Sequence, residues 1–368
     1  MTGAAACLAG VKDMTVIIHG SSGCYYYPAS LLHVPLQGTF IMEEEVIFGS
    51  EGRLKEVIAG LDASCRHIAI VTTCVPAVVG EDVRHILDER EAIVVDSPGF
   101  AGSTEAGYRR AMDAIGPVAG RDTRGVNIDG ICLLDPFSRG NTEEIVRLLA
   151  RAGVPCGAIF SLDTLERIRN AAPFTLGTND DFSSGVGTPV GGTLGFAETR
   201  DAFVRIEKIM DGSDIAPVIR EIDESEELAI QACDKYLRRF DPPATAIFSG
   251  HSYGVFAARM LKRYLDAQIL CIGTRTGGTD LAPGEIQVQD HVRIGEMIGR
   301  HAPDLILGSS FERSFCGDAA FYPVTPPIRG MVRLVPRPIA GPRGSLAFLE
   351  GILNECIDRQ NQSRVRTS

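Results

Sequence analysis

The sequence has no tryptophan and no Gly-Lys dipeptide. The second absence is the informative one. Without Gly-Lys there can be no G-x-x-x-x-G-K-[ST] loop, so phosphate chemistry by a P-loop of this chain's own is excluded. No two of the ten cysteines are spaced C-x-x-C, which removes zinc ribbons and ferredoxin-type runs. There is no H-E-x-x-H metal helix. No apolar run approaches the roughly 20 residues of a spanning helix. The opening MTGAAACLAG lacks the charged start and long apolar stretch of a secretion signal. Positive charge is also in deficit: 36 Lys and Arg face 47 Asp and Glu, a net charge of −11. Polyanions gain nothing from that balance, so nucleic acid and anionic membranes are poor partners. The expectation is a cytoplasmic protein with reduced thiols.

What is present is a repeated alternation. Short apolar runs rich in Val and Ile occur at 15–19, 67–74, 92–97, 130–135, 157–161, 245–250, 268–273 and 304–309. Amphipathic stretches lie between them at 81–91, 104–115, 141–152, 196–210, 224–240, 253–265 and 291–301. Strands apolar throughout, alternating with helices, predict parallel sheets covered on both faces. The fold class is α/β, with three doubly wound, Rossmann-like domains. Polar joins at GPVAGRDTRG and at Asp241-Pro242-Pro243 set the domains at 1–120, 121–240 and 241–368. The polar tail QNQSRVRTS reads as frayed.

Ligands of open α/β sheets bind beyond the carboxyl ends of the strands, so the strand-end loops carry the functional candidates. GVGTPVGG at 185–192 misses the G-x-G-x-x-G spacing and reads as a turn. Gly250-His251-Ser252-Tyr253-Gly254 matches G-x-S-x-G between a strand and a helix, with His291 or His301 following as a base. That is the pattern of a serine hydrolase with Ser252 as nucleophile, although a tight glycine turn explains it as well.

Three cysteines stand apart. Cys24 closes the loop HGSSGC after the first strand, Cys74 follows the second in TTCVP, and Cys7 lies in the small-residue lead-in AAACLAG. Soft thiolates gathered with glycines suit an iron–sulfur cluster, because glycine lets main-chain amides approach sulfur. The other seven cysteines read as small buried hydrophobes.

In order, these residues form a longer pattern: the first cysteine, HGSSGC, E-x-x-I-F-G-S-E-x-x-L at 44–54, TTC at 72–74, Gly80-Glu81-Asp82 and DSPGFAGS-x-x-x-G at 96–107. VNIDG at 126–130, VGTPVGGTLGFAET at 186–199 and DLILGSSFE at 304–312 continue it. The pattern resembles the nitrogenase component 1 superfamily over nearly the whole chain. Each piece is weak alone; the ordered set is specific. No cysteine occurs between Cys156 and Cys233, where the molybdenum-type subunit carries its cofactor ligand. The compact chain is most similar to the branch that supplies the catalytic component of nickel-sirohydrochlorin a,c-diamide reductive cyclase in coenzyme F430 synthesis.

The resemblance implies a [4Fe–4S] cluster on Cys7, Cys24 and Cys74, borne by the first domain. It implies a homodimer, with ATP used only through a separate P-loop iron protein that donates electrons, and a nickel tetrapyrrole as substrate. Arg275 and Arg313 then become candidate anchors for tetrapyrrole carboxylates, Tyr25 a wall of the cavity, and His251 a candidate proton donor. The blander readings are a carboxylate partner for each arginine, core packing for Tyr25 and a satisfied loop histidine. Two alternatives stay open within the superfamily: a reductase of another tetrapyrrole or small sulfur compound, and a non-catalytic scaffold for metallocluster assembly.

Overall fold

The structure is a computed structural model that describes residues 1–62, 65–86, 92–120, 123–275, 285–332 and 334–367. Side chains of 285 and 362–367 are outside the description. The elements follow in order as α1 (Thr2–Ala9), β1 (Met14–His19), α2 (Ser22–Leu32), β2 (Gln37–Gly38), α3 (Glu43–Phe48), α4 (Glu51–Ala59), β3 (His67–Thr72), α5 (Cys74–Val79), β4 (Ala92–Asp96) and α6 (Thr104–Ile115). Next come β5 (Val118–Ala119), β6 (Val126–Asp129), α7 (Ser138–Arg151), β7 (Cys156–Ile159), α8 (Leu165–Arg169), β8 (Asn170–Ala171), β9 (Phe174–Gly177), β10 (Thr188–Gly192), α9 (Phe196–Ile209) and α10 (Ala216–Leu237). The chain ends with β11 (Ala244–Ser249), α11 (His251–Leu265), β12 (Gln268–Thr274), β13 (Glu285–Gln287), α12 (His291–His301), β14 (Leu305–Gly308), β15 (Ala320–Pro323) and α13 (Gly341–Thr367).

The larger sheets run β2-β1-β3-β4, β10-β9-β6-β7 and β13-β12-β11-β14-β15. The pairings of the first and third are parallel throughout. The α/β class with parallel sheets is therefore what the apolar, unalternating runs encode. Helix α6 and helix α12 have the bounds their periodicity predicts. Each carries a side-chain N-cap: Ser103 accepts from Ala106 N, and Asp290 from Val292 N.

By packing, the chain divides into two compact units. One comprises residues 1–134, 156–175 and 182–189, the other 135–155, 176–181 and 190–368. The core of the first gathers Val16 and Ile18 of β1, Val71 of β3, Val95 of β4, Tyr108 of α6 and Phe160. A core of the second gathers Phe248, Cys271, Ile294 and Ile306.

Four sequence expectations are corrected. The run at 130–135 is not a strand; the strand is Val126–Asp129, and Gly130 takes φ +78° there, ending the extended backbone. The segment around Cys7 is not a loose lead-in but helix α1, buried from Gly3 to Leu8. Alanine has the best helix propensity, and small residues allow close approach to α6: a Cβ on Gly3 would stand 1.8 Å from the Thr104 carbonyl oxygen. The tail is helical to Thr367 rather than frayed, which its Gln and Arg content permits. Of the stretch predicted as a helix at 81–91, only Arg84–Ile86 is helical, as a 3-10 turn, and residues 87–91 lie outside the described residues.

Candidate metal centre

Cys24 lies in the first turn of α2, just past β1, and Cys74 opens α5, just past β3. Because β1 and β3 are adjacent and in register from Met14↔His67 to His19↔Thr72, both thiols leave the same edge of the sheet. Both are half-buried. The Gly99 amide donates to Cys74 Sγ at 3.1 Å, and Ser21 Oγ donates to Cys24 Sγ at 3.6 Å. The Met1 amino group donates to Ser97 Oγ at 2.8 Å. Burial and then Arg110 depress its pKa, against the opposing pull of Cys74 and Cys24.

Cys7 is not brought to them. It is fully buried, and burial followed by the nearby Cys132 pushes its thiol well above the ordinary range. Its other neighbours are Asp129 and Ser161, whose hydroxyl donates to the Cys7 carbonyl oxygen at 3.0 Å. Among the described residues no three His, Cys, Asp or Glu side chains converge on a metal position. The residues therefore fit an iron–sulfur group as two soft donors per chain, backed by an N–H···S bond of the kind that tunes such groups. Exposed apolar side chains lie close in sequence to each thiol or to Gly99, Tyr26 on α2, Val78 on α5 and Phe100, and α3 adds exposed Ile47 and Phe48.

Beneath the thiol loops sits a buried polar network centred on His19. His19 closes β1 and is fully buried. Its carbonyl accepts from Thr73 N at 3.1 Å and Thr73 Oγ1 at 3.0 Å, so it ties the residue before Cys74 to the strand before Cys24. Its Nδ1 lies 3.2 Å from Thr39 Oγ1 and its Nε2 3.1 Å from Ser50 Oγ. Ser50 Oγ donates to Glu81 Oε2 at 2.5 Å, and Glu81 lies 3.4 Å from His19 Nε2. Gly20 donates its amide to Thr39 Oγ1 at 3.0 Å. A side chain at 20 is impossible here, since its Cβ would meet Thr73 Oγ1 at 1.9 Å.

The remaining candidates are placed as follows. Tyr25 donates its hydroxyl to the Leu36 carbonyl at 3.2 Å and sets its ring against Phe40, 4.9 Å between centroids. Arg275 follows β12 and is committed within the chain. Its Nη2 donates to both carboxylate oxygens of fully buried Glu312, at 2.6 and 2.7 Å, and its Nη1 to the Pro326 carbonyl at 3.0 Å. Arg313 is exposed, 5.8 Å from the Phe321 ring centre. The rest of the loop after Arg275 lies outside the described residues. His251 opens α11, and Ser252 behind it is buried, with its hydroxyl accepting from the Asp180 amide at 3.2 Å. His291 meets Phe311 edge-on, with 4.6 Å between ring centres. A nucleophile elbow needs its hydroxyl exposed above the sheet; here Gly250 caps α11 and Ser252 lies buried in that helix's first turn, held by Asp180 and Asp181. In GVGTPVGG the first three residues turn, with Gly185 and Gly187 at positive φ, and Thr188–Gly192 form strand β10.

A cavity of about 530 Å³ in the second unit lies between α10 and α13, lined by Leu228, Tyr236, Leu349 and Leu353 with Lys235 and Arg239 among them. None of His251, Arg275 or Arg313 lines it. No helix among the described residues is long and apolar enough to cross a membrane.

Two buried groups were missed. Asn127 satisfies all four of its hydrogen-bonding positions, donating to Ala172 O and Thr175 Oγ1 and accepting from Ala158 N and Ala172 N. Glu312 accepts from Ser309 N at 2.7 Å while Ser309 Oγ accepts from Phe311 N. The signal for the second was present as S-x-x-E, the spacing of a capping box.

A parallel α/β chain with a pair of strand-end thiols has the form of a metal-cluster-bearing oxidoreductase. The comparisons narrow the class: the profile of the nitrogenase component 1 type oxidoreductase family matches residues 1–357, and the chain belongs to that family. It is 26% identical to the nitrogenase iron-molybdenum cofactor biosynthesis protein NifE of Clostridium pasteurianum, over 76% of this chain and 68% of that one. It is 22% identical to the nitrogenase molybdenum-iron protein beta chain of Methanococcus maripaludis, over 98% and 94%. The structure of nitrogenase Cp1 at pH 6.5 superposes with a TM-score of 0.84 at 16% identity, covering 98% of this chain and 92% of that one. Members of this family bind iron–sulfur clusters, work with an iron protein partner and form oligomers.

Proposed function

We propose that the chain is the catalytic component of an ATP-dependent two-component reductase. It receives electrons from a separate iron protein and reductively cyclises nickel-sirohydrochlorin a,c-diamide, the reaction that belongs to coenzyme F430 synthesis. The observation that carries the reading is the pairing of Cys24 and Cys74 at one sheet edge, in a family member that lacks a P-loop for nucleotide chemistry of its own. A [4Fe–4S] cluster on these thiols would supply low-potential one-electron transfer. The chain's own residues position the two thiolates at one sheet edge and donate the Gly99 amide to sulfur.

Two thiolates leave a four-iron cluster two ligands short. A second copy related by a twofold axis supplies two more from the same positions, and an isologous contact across the exposed apolar side chains of α2, α3 and α5 supports that arrangement. Cys7, buried against Cys132, is then not required. The likeness to NifE favours one second reading, an iron-molybdenum cofactor biosynthesis role in which the chain carries a cluster without turnover.

The test is anaerobic incubation with an iron protein, ATP, a strong reductant and the nickel tetrapyrrole, with mass analysis of the product. Conversion only in the complete mixture supports the reductase. ATP hydrolysis without conversion removes the substrate assignment. An iron-free protein removes the whole reading.

A further inference from the structure

We propose that His19 takes up one proton when one electron is added at the group held by Cys24 and Cys74, and so sets how that group's potential responds to pH. The inference rests on the metal-centre reading above and concerns the chain's own side chains beneath it.

The hydrogen positions follow from the donors available. Ser50 has one hydroxyl hydrogen, and the 2.5 Å contact commits it to the Glu81 carboxylate, which can only accept. Ser50 Oγ can therefore only accept from His19, so Nε2 carries the hydrogen at 3.1 Å. Nδ1 is then the acceptor, and the Thr39 hydroxyl donates to it at 3.2 Å. Thr39 Oγ1 meanwhile accepts the Gly20 amide. Every group is satisfied with His19 neutral. That state agrees with its environment: burial lowers its pKa from the ordinary 6.5, against the opposing pull of Glu81.

Protonation of Nδ1 changes one bond in a defined way. Nδ1–H must now donate to Thr39 Oγ1, so the Thr39 hydrogen turns to its other acceptor, the Gly20 carbonyl, at 3.4 Å. Gly20 begins the loop that carries Cys24, and the His19 carbonyl is the one that Thr73 holds next to Cys74. The proton therefore rearranges hydrogen bonds in the main chain that carries the thiols. Glu81 stabilises the imidazolium from the Nε2 side.

Among the described residues, the neighbouring charges have partners of their own. Arg53 Nε donates to the Thr39 carbonyl at 2.9 Å and its Nη1 pairs with Glu56. Glu51 pairs with His85, and Asp82 with Arg84. Thr39, Ser50 and Thr73 are uncharged. An added electron makes the thiolate-held group more negative, and a buried base tied by hydrogen bonds to the main chain that carries the thiols becomes easier to protonate. The electron comes from an external one-electron donor and the proton from solvent. It ends on Nδ1, and no covalent bond between heavy atoms forms or breaks.

The experiment loads the full chain with iron and sulfide, assays bound iron, and follows the midpoint potential optically across about pH 6 to 8. The expected result is a potential that falls with pH, approaching about 59 mV per tenfold change in proton activity for one proton per electron. H19Q should flatten the dependence. E81Q, which keeps an acceptor for Ser50 but removes the stabilising charge, should move its onset to lower pH. In the iron-free chain, nitrogen-15 NMR should find His19 as the Nε2–H tautomer. A loaded wild-type protein with a pH-independent potential overturns the relay and leaves the metal centre standing. So does an unchanged slope in H19Q, or an Nδ1–H tautomer. A wild-type chain that holds no iron overturns both.

Discussion

Replacing Arg275 by Met separates two roles that a strand-end arginine can have. The guanidinium meets Glu312 at 2.6 Å, and that carboxylate is fully buried. Among the described residues, removing the cation leaves the Glu312 carboxylate with Ser309 as its donor, through its amide and its hydroxyl. Breaking one side of a buried pair costs about 3–5 kcal/mol. The Arg275 side chain is 23% exposed, so water already screens part of the attraction and the lower end, about 3 kcal/mol, applies. R275M should accordingly lower the urea midpoint clearly. The double variant R275M/E312M should recover most of the loss, because no uncompensated charge remains. Tetrapyrrole binding by the double variant then tests the anchor role free of the stability defect. An R275M protein as stable as wild type but unable to bind substrate would refute the structural reasoning and restore Arg275 as an anchor.

Further outcomes follow from the same structure. C24A and C74A should lose bound iron, read by iron assay and by the loss of thiolate-to-iron absorption. C7A and C233A should keep it, and full iron in C24A would defeat the assignment. N127A should cost about 3–5 kcal/mol in a urea titration, because it strands two buried amides and a carbonyl at about 1–3 kcal/mol each while water entering the space offsets part of the loss. Asp129 has its pKa raised above the ordinary 3.8 by burial, against bonds from Gly130, Ser183 and Ser184. A raised carboxylate holds its proton better in the folded chain. Its contribution is therefore fully present below the unfolded pKa and is lost as pH rises through the folded value. D129N should flatten the fall in stability over that range, and an unaltered pH profile would rule this contribution out.

The legible parts of this protein are those where one local pattern has one physical solution. Short unalternating Val/Ile runs such as His67–Thr72 suit a sheet covered on both faces, and the 3.6-residue pattern located α6 and α12 to the residue. Cys24 and Cys74 were legible for the same reason: each ends a strand, and adjacent parallel strands must deliver their ends to one edge. Cys7 carried no such constraint. Its neighbours Ala4 to Leu8 have no contrast between faces, because every one of them is buried, so a helix packed on all sides looked like a lead-in. The polar groups were harder still. His19 draws its partners from Thr39, Ser50 and Glu81, and Arg275 draws its own from Ser309, Glu312 and Pro326. These contacts span 20 to 62 residues of sequence, and no local period records them. A buried polar side chain is chosen by which loops the fold brings together, so its role follows from the topology rather than from its own neighbourhood. The same logic explains why a histidine that reads as part of one loop serves two: parallel pairing of β1 with β3 sets His19 beside Thr73, and the thiol loops then share one buried base.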